Sequence, residues 1–431
     1  MATLALHNLT ISRGTVLSAV LALAVLSSSI VYSEPAPVDV LMLGFIVGFV
    51  VLGGGRFGLA TGLNLTIWLA VVALSFVATG WSPDFGDAVK HQAVTLFLVV
   101  GAGAIAAFVA QEPEPRVRLV FNCYVAAMVL ACLFGYLGYF KLLPGAYDLF
   151  TNYGRARGTF KDPNVFGAAL CPAIVYLVWS LLRQPWRQSM VPALLCLFIM
   201  PALLISFSRG AWVSLAVSLL VLGFIALTRT RRQSDHVRMV GFGVAGFAVL
   251  SMTLLMVLQI PTVSNLMQQR ASLTQGYDEG PEGRFGGQQK AVRLILENPF
   301  GIGTHTFRVR HHHEEVHNVY LTMFHYGGWI CGLLFIASIA LTFTIGLSGA
   351  LRIGALQGGL AVATASLAGM IVEGLVIDFD HWRHFFIFLG LVWGLSDARV
   401  TEVPRSSRRR RSDSLSVNIR RPRLRRATIV D

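Results

Sequence analysis

The chain has 431 residues, of which 55% are hydrophobic and only 13% charged, with a formal net charge of +13 at pH 7. Soluble domains carry about 25% charged residues, so this composition excludes an ordinary soluble globular protein. All five cysteines lie within apolar runs, which argues against a disulfide framework and against a zinc cluster.

Long apolar runs recur along the chain, and a run of about 17–25 residues crosses a bilayer as a helix. The first run starts near Thr15 and is predicted to be a span, not a cleaved signal peptide. About twelve spans are predicted on this criterion. They centre on 15–33, 38–54, 59–79, 92–110, 117–139, 163–183, 190–207, 210–228, 239–260, 317–347, 354–377 and 382–397.

The predicted fold class is an all-α polytopic membrane protein with one long, partly helical periplasmic loop between spans 9 and 10. Residues 1–260 are assigned to spans 1–9, residues 261–316 to the loop and residues 317–398 to spans 10–12. Residues 399–431 are basic and of low complexity, and are predicted to be a disordered cytoplasmic tail that touches anionic lipid.

The distribution of basic residues predicts the orientation of the spans. With the N-terminus in the cytoplasm, most Lys and Arg residues fall on the cytoplasmic side, as the positive-inside rule requires. An even number of spans then places both termini in the cytoplasm. The long loop, the segment LLPGAYDLFTNYGRARGTFKDPN, the FSRG turn and the DFDHWRH turn face the periplasm. Arginines on that side run against the bias, and phosphate binding explains them because the guanidinium fork matches phosphate geometry.

The long loop contains a helical pattern of its own. Apolar residues recur with helical spacing in Gln288–Glu297, and the sequence Asn298-Pro299 is expected to end this helix. Gly301 and Gly303 are expected to turn the chain after it. A folded loop rich in Arg and His, set against a membrane body, indicates an anionic substrate.

Two periplasmic segments carry candidate anion-binding groups. In RARGTFKDPN, Asp162-Pro163 is typical of a helix start, and the free N–H groups of that start could hold an anion. An ordinary capped span with solvated cations explains the same pattern equally well. In SFSRGAW, an arginine lies near the bilayer surface, where it either binds a ligand or extends to lipid headgroups. The candidates are Arg155, Arg157, Lys161, Asn164 and Arg209.

The long loop supplies the remaining candidates. Arg284 and Lys290 lie near the start of the loop helix, where they bind the substrate or form a solvated face. His317 and Asn318 stand at the mouth of the tenth span, and an imidazole with an ordinary pKa of about 6.5 suits a base that deprotonates a hydroxyl. His313–His317 also matches the H-E-x-x-H zinc motif, a short pattern with many false positives.

The motifs in this order and on this side resemble the O-antigen ligase and O-antigen polymerase superfamily of bacterial membrane glycosyltransferases. The resemblance rests on RGTFKDPNVFG, SFSRGAW, the loop GRFGGQ…NPFGIG and the closing VHNVYL…YGGW, and covers most of the chain. It implies that the donor is a glycan on undecaprenyl diphosphate. It also implies that Arg209 and Arg284 bind the diphosphate and that His317 is the catalytic base.

The resemblance implies a metal-independent, inverting glycosyltransferase with no cofactor, in the bacterial inner membrane with its site facing the periplasm. The acceptor would be lipid A–core or a growing surface polysaccharide, and no nucleic-acid partner is expected. Arg155, Arg157, Lys161, Asn164, Lys290 and Asn318 are expected to contact the substrates. Two alternatives are a lipid-linked glycan transporter or flippase, against which the lack of internal repeats argues, and a metalloprotease built on H-E-x-x-H.

Overall fold

Helices make up most of the protein. The computed structural model describes residues 12–229 and 280–416, with positions 237, 240, 241 and 252 between them, and of residues 400–416 it describes the backbone only. The helices are α1 Arg13–Ser27, α2 Pro37–Val51, α3 Leu59–Ala78, α4 Phe85–Val109, α5 Pro113–Tyr139, α6 Ala146–Phe150, α7 Pro163–Arg183, α8 Trp186–Ile205, α9 Arg209–Arg229, α10 Arg284–Glu297, α11 Thr306–Arg310, α12 Val319–Ala350, α13 Gln357–Glu373 and α14 Arg383–Ser416.

The predicted helical fold is confirmed in its coarse form. Among the described residues, α3, α4, α5, α7, α8, α9 and α12 are long and apolar enough to cross a membrane, and α1 and α2 are shorter apolar helices. The count of about twelve spans stays a prediction, and most of the ninth span, together with the first part of the loop, lies outside the described residues. The sequence did not predict a short antiparallel hairpin, in which β1 Thr151–Asn152 pairs with β2 Arg155–Ala156.

Side-chain caps fix where several helices begin. Asp162 accepts a hydrogen bond from the backbone N–H of Asn164 at 2.7 Å, and Pro163 takes the first helical position of α7, as predicted. The cap of α3 comes from a distant part of the chain, because the carboxylate of Asp397 on α14 accepts from the backbone N–H of Ala60 at 2.8 Å. The first N–H groups of a helix have no partner within the helix, and here a distant carboxylate supplies one.

Small residues let the helices pack closely. An added Cβ at Gly394 of α14 would lie 2.9 Å from Cα of Ala106 on α4. A Cβ at Gly167 of α7 would lie 2.9 Å from Oγ of Ser206, at the turn into α9. Close backbone approach at small residues is the usual basis of helix association in membranes. It holds the α7 start and the α9 start together, and both belong to the candidate site.

The last helix extends further than the sequence indicated. α14 continues to Ser416, into the basic segment from 399 that was predicted to be disordered. An existing helix can be extended through Arg and Ser without a new nucleation cost, so α14 can run on into polar sequence. Residues 417–431 lie outside the described residues.

Candidate active site

One cavity of about 410 Å³ lies where four separate segments of the chain meet. These segments are the hairpin with the start of α7, the turn into α9, the loop from α10 to α12, and the turn between α13 and α14. The lining residues are Tyr153, Arg155, Asp162, Asn164, Val165, Phe207, Ser208, Arg209, Gly210, Arg284, His317, Glu373, Val376, Ile377, Asp378 and Trp382. The four segments are those that the charge pattern predicted to share the periplasmic side.

Arg155 ties two of the four segments together. Its side chain is almost fully buried, and its Nε donates to the backbone carbonyl of Ser206 at 2.8 Å. Its Nη2 donates to Oδ1 of Asn164 at 2.6 Å. The guanidinium thus joins the hairpin, the turn into α9 and the first turn of α7.

Arg209 enters the cavity from a tight turn. Phe207 has a φ of 49°, in the left-handed region that few non-glycine residues adopt. Ser208 Oγ accepts from the backbone N–H of Ala211 at 3.3 Å, and Arg209 is the first residue of α9. The turn therefore presents the guanidinium at a helix N-terminus, where the dipole also favours an anion.

Arg284 is the first residue of α10, which begins four residues before the predicted helical pattern. A Cβ at Gly286 would lie 2.5 Å from the carbonyl oxygen of Pro281, and one at Gly287 would lie 3.2 Å from the ring of His312. The two glycines allow the chain to fold back tightly on both sides of the helix start. Arg284 is held at the cavity by this turn.

His317 lines the same cavity as Arg284. Its side chain is about one-third exposed, and its backbone has a φ of 51°. Burial lowers the pKa of its imidazole, and the positive charge of Arg284 lowers that pKa further. The ring is therefore neutral at neutral pH and able to accept a proton.

Asn318 has a different position from the one expected. Its Oδ1 accepts from the backbone N–H groups of Tyr320 at 3.2 Å and Leu321 at 3.3 Å, so it caps α12. Asn318 does not line the cavity itself. Its cap sets where α12 begins, and so sets the direction of the preceding His317.

Three other predicted binding residues do not line this cavity. Arg157 lies over the ring of Tyr32, 5.0 Å from its centroid. Lys290 makes an ion pair with Glu282 at 2.6 Å. Lys161 lines a neighbouring cavity of about 200 Å³, which shares Val165, Asp378 and Trp382 with the first. Sequence spacing alone could not distinguish these positions from those of Arg155 and Asn164.

Acidic and aromatic residues complete the lining. Glu373 is buried at the end of α13, and a Cβ at Gly210 would lie 3.1 Å from its Oε1. Asp378 accepts from Oγ1 of Thr322 at 2.7 Å, and burial together with the charge of Asp380 raises its pKa. The sequence analysis placed Asp378 and Trp382 in the DFDHWRH turn on the predicted periplasmic side, but it assigned a role to neither of them.

The metal-binding alternatives have poor geometry. Residues 313–317 are not helical, so the H-E-x-x-H spacing does not bring its two histidines to one helical face. His91, Asp380 and His381 lie close together, but the rings of His91 and His381 are stacked 3.8 Å apart at 23°. Nitrogen lone pairs in stacked rings run nearly parallel and do not converge on one ion at bonding distance. A second group joins the exposed Glu282 and His313 to the buried His312, and the rings of the two histidines lie 4.5 Å apart at 30°.

The described residues define a multi-pass membrane protein with arginines and one neutral imidazole in a cavity at one end of its helix bundle. Residues 193–336 match the family model described as O-antigen ligase. This segment contains Arg209, Arg284 and His317. Over these residues, the match confirms the predicted resemblance to the O-antigen ligase and O-antigen polymerase superfamily. No curated protein matches the chain.

Proposed function

We propose that the protein transfers a glycan from undecaprenyl diphosphate to a hydroxyl of lipid A–core or of a growing surface polysaccharide. The reaction takes place at the periplasmic face of the inner membrane, with both termini in the cytoplasm. The single observation that supports this most directly is the meeting of Arg209, Arg284 and His317 in one cavity. These residues come from segments far apart in the chain, and a lipid diphosphate beside an acceptor hydroxyl needs this combination of groups.

His317 acts as the general base in this proposal. Its neutral imidazole takes the proton of the acceptor hydroxyl as the oxygen attacks the anomeric carbon. The bond between that carbon and the diphosphate oxygen breaks, and the diphosphate leaves with the bonding electron pair. Attack from the face opposite the leaving group inverts the anomeric configuration.

Arg209 and Arg284 stabilise the leaving group. Negative charge grows on the diphosphate as the bond breaks, and fixed guanidinium groups stabilise that charge more in the transition state than in the ground state. Arg155 donates a hydrogen bond to Asn164, and both residues line the same cavity. In this proposal they fix the part of the cavity lining that contacts the diphosphate. The protein's own residues account for these steps without a metal or cofactor.

The test uses purified protein in lipid nanodiscs with an undecaprenyl-diphosphate glycan and candidate acceptors. We expect glycan transfer, unchanged by EDTA, and a loss of about 10²–10⁴-fold in rate for His317→Ala. The matched control is His313→Ala, because His313 is an exposed histidine of the same loop. Wild-type transfer rates in His317→Ala would refute the base assignment, and movement of the intact lipid-linked glycan across the membrane without transfer would favour the transporter alternative.

A further inference from the structure

A chain of four ionisable side chains connects the loop to the helix bundle beside the cavity. Glu315 Oε1 lies 2.7 Å from Nδ1 of His305, and Nε2 of His305 lies 3.1 Å from Nδ1 of His91. Nε2 of His91 lies 3.0 Å from Oδ2 of Asp380. Both ring nitrogens of both histidines are therefore engaged.

The contacts determine how many protons the two rings hold. A ring nitrogen that faces an ionised carboxylate must carry a proton, and this applies to Nδ1 of His305 and Nε2 of His91. The contact between the two rings needs one further proton, on either nitrogen. To satisfy all three contacts at once, the pair needs three protons, whereas two neutral imidazoles hold two. The complete set of contacts therefore requires one extra proton, and one positive charge, on the two rings together.

The surrounding charges favour this extra proton. Asp87 of α4 lies 3.8 Å from Nε2 of His305, and the two terminal carboxylates add two further negative charges. Arg308 of α11 opposes them, at 3.4 Å from Glu315. Two other titratable groups touch the rings: Tyr326 of α12 packs against both, and His381 stacks on His91. Further charged groups lie one step away, with Asp378 beside Asp380, and Glu34 and Arg383 beside His381.

The pKa of His305 shows the combined effect of burial and of these charges. Burial works to lower the pKa of His305, but the hydrogen bond and the charge of Glu315 outweigh it, so the pKa lies above its ordinary value. A group with a raised pKa in the folded protein contributes stability below its unfolded pKa, and this contribution is lost as the pH rises through the folded value. The contact between the rings therefore weakens on the alkaline side.

The chain fastens the segment that carries His317. His305 directly precedes α11, and Glu315 follows it and lies two residues before His317. His91 belongs to α4, and Asp380 belongs to the turn that contributes Asp378 to the cavity. We propose that His91 and His305 are positioning residues, whose shared proton holds the loop so that His317 faces the cavity. This rests on the proposed function only in the use of His317 as the base.

The first experiment measures hydrogen–deuterium exchange of the 305–318 segment against pH in the full-length protein, corrected for the intrinsic pH dependence of exchange. We expect protection in the wild type to fall about tenfold as the pair loses its extra proton, which corresponds to one hydrogen bond. His305→Gln keeps a polar side chain that does not titrate, so its protection should not change with pH. His313→Gln, on the exposed part of the same loop, should behave as the wild type.

A second variant gives a signed shift. Glu315→Gln keeps an oxygen that accepts from Nδ1 of His305 but removes the negative charge, so the midpoint of the protection change should move to lower pH. The proposal is overturned if wild-type protection is independent of pH, or if Glu315→Gln leaves the midpoint unchanged. Both readouts stand without any enzyme activity, so they can be judged even if the proposed function fails.

Transfer kinetics provide the complementary readout. In the wild type, kcat should fall on the alkaline side as the shared proton is lost, with KM for the donor little changed because Arg209 and Arg284 stay in place. In His305→Gln this alkaline limb should disappear. A purely structural role for His305 would lower activity at every pH and leave the shape of the profile as it was.

Discussion

Arg155 provides the sharpest test of how the cavity is built. Its guanidinium donates to the backbone carbonyl of the fully buried Ser206 and to Asn164. Hydrogen bonds to a charged group contribute about 1.5–3 kcal/mol each. In Arg155→Met, Asn164 can turn to water in the cavity, whereas the carbonyl of Ser206 is left buried without this donor. We therefore expect a loss of about 2–4 kcal/mol in the free energy of unfolding.

Buried cysteines offer an assay for this change. Cys132, Cys171 and Cys331 are buried free thiols, so a thiol-reactive dye reports the temperature at which the helices separate. Arg155→Met should melt several degrees below the wild type. Arg155→Lys should lie between them, because an ammonium group lacks the fork that reaches both acceptors.

Arg157 is the matched control for this experiment. It lies two residues away and donates to backbone carbonyls at 3.1–3.5 Å from a more exposed position. Arg157→Met should change the melting temperature much less than Arg155→Met. Equal melting temperatures for the two variants would refute the argument that Arg155 holds the walls together.

Three further outcomes are expected. Gly286→Ala should lower the rate of transfer at least about tenfold, because its Cβ would meet the carbonyl oxygen of Pro281 at 2.5 Å and displace the start of α10. Gly62→Ala on α3, where a Cβ has nothing within 4 Å, should leave the rate unchanged. Equal rates for the two variants would contradict the packing argument. Asn318→Ala should cost about 1 kcal/mol of stability, and Asn318→Asp, which keeps the cap, should restore it in the same melting assay. Arg209→Lys should lower kcat about 10²-fold in the transfer assay, since it keeps the charge and loses the bidentate geometry; an unchanged kcat would rule out a diphosphate contact.

The pH dependence of transfer should also have an acid limb. Burial and the charge of Arg284 lower the pKa of His317, so the base is protonated and inactive only at pH values below the ordinary histidine range. Arg284→Gln removes that charge and should move the acid limb of kcat/KM to higher pH. A limb that does not move would show that another group takes the proton.

Local chemistry made much of the fold predictable. The predicted spans from 59–79 and 163–183 lie within a residue or two of α3 and α7, because a helix in lipid must satisfy its own backbone and therefore needs a continuous apolar run. Helix caps and helix-breaking residues also act over only a few positions, so the start of α7 and the end of α10 at Asn298 could be predicted from the sequence. The end of α14 could not be predicted in the same way, because a basic segment of this composition is compatible both with a helix and with an irregular chain.

The sequence alone determined that the chain is a helical membrane protein and which arginines and histidines stand outside the apolar runs. Only the tertiary structure decided that Arg155, Arg209, Arg284 and His317 line one cavity, while Lys290 pairs with Glu282 at the loop surface. Hydropathy and capping report the environment of each segment separately, so they cannot state which segment ends meet. That depends on how helices far apart in the chain pack through their small residues, and this packing is a property of the whole bundle.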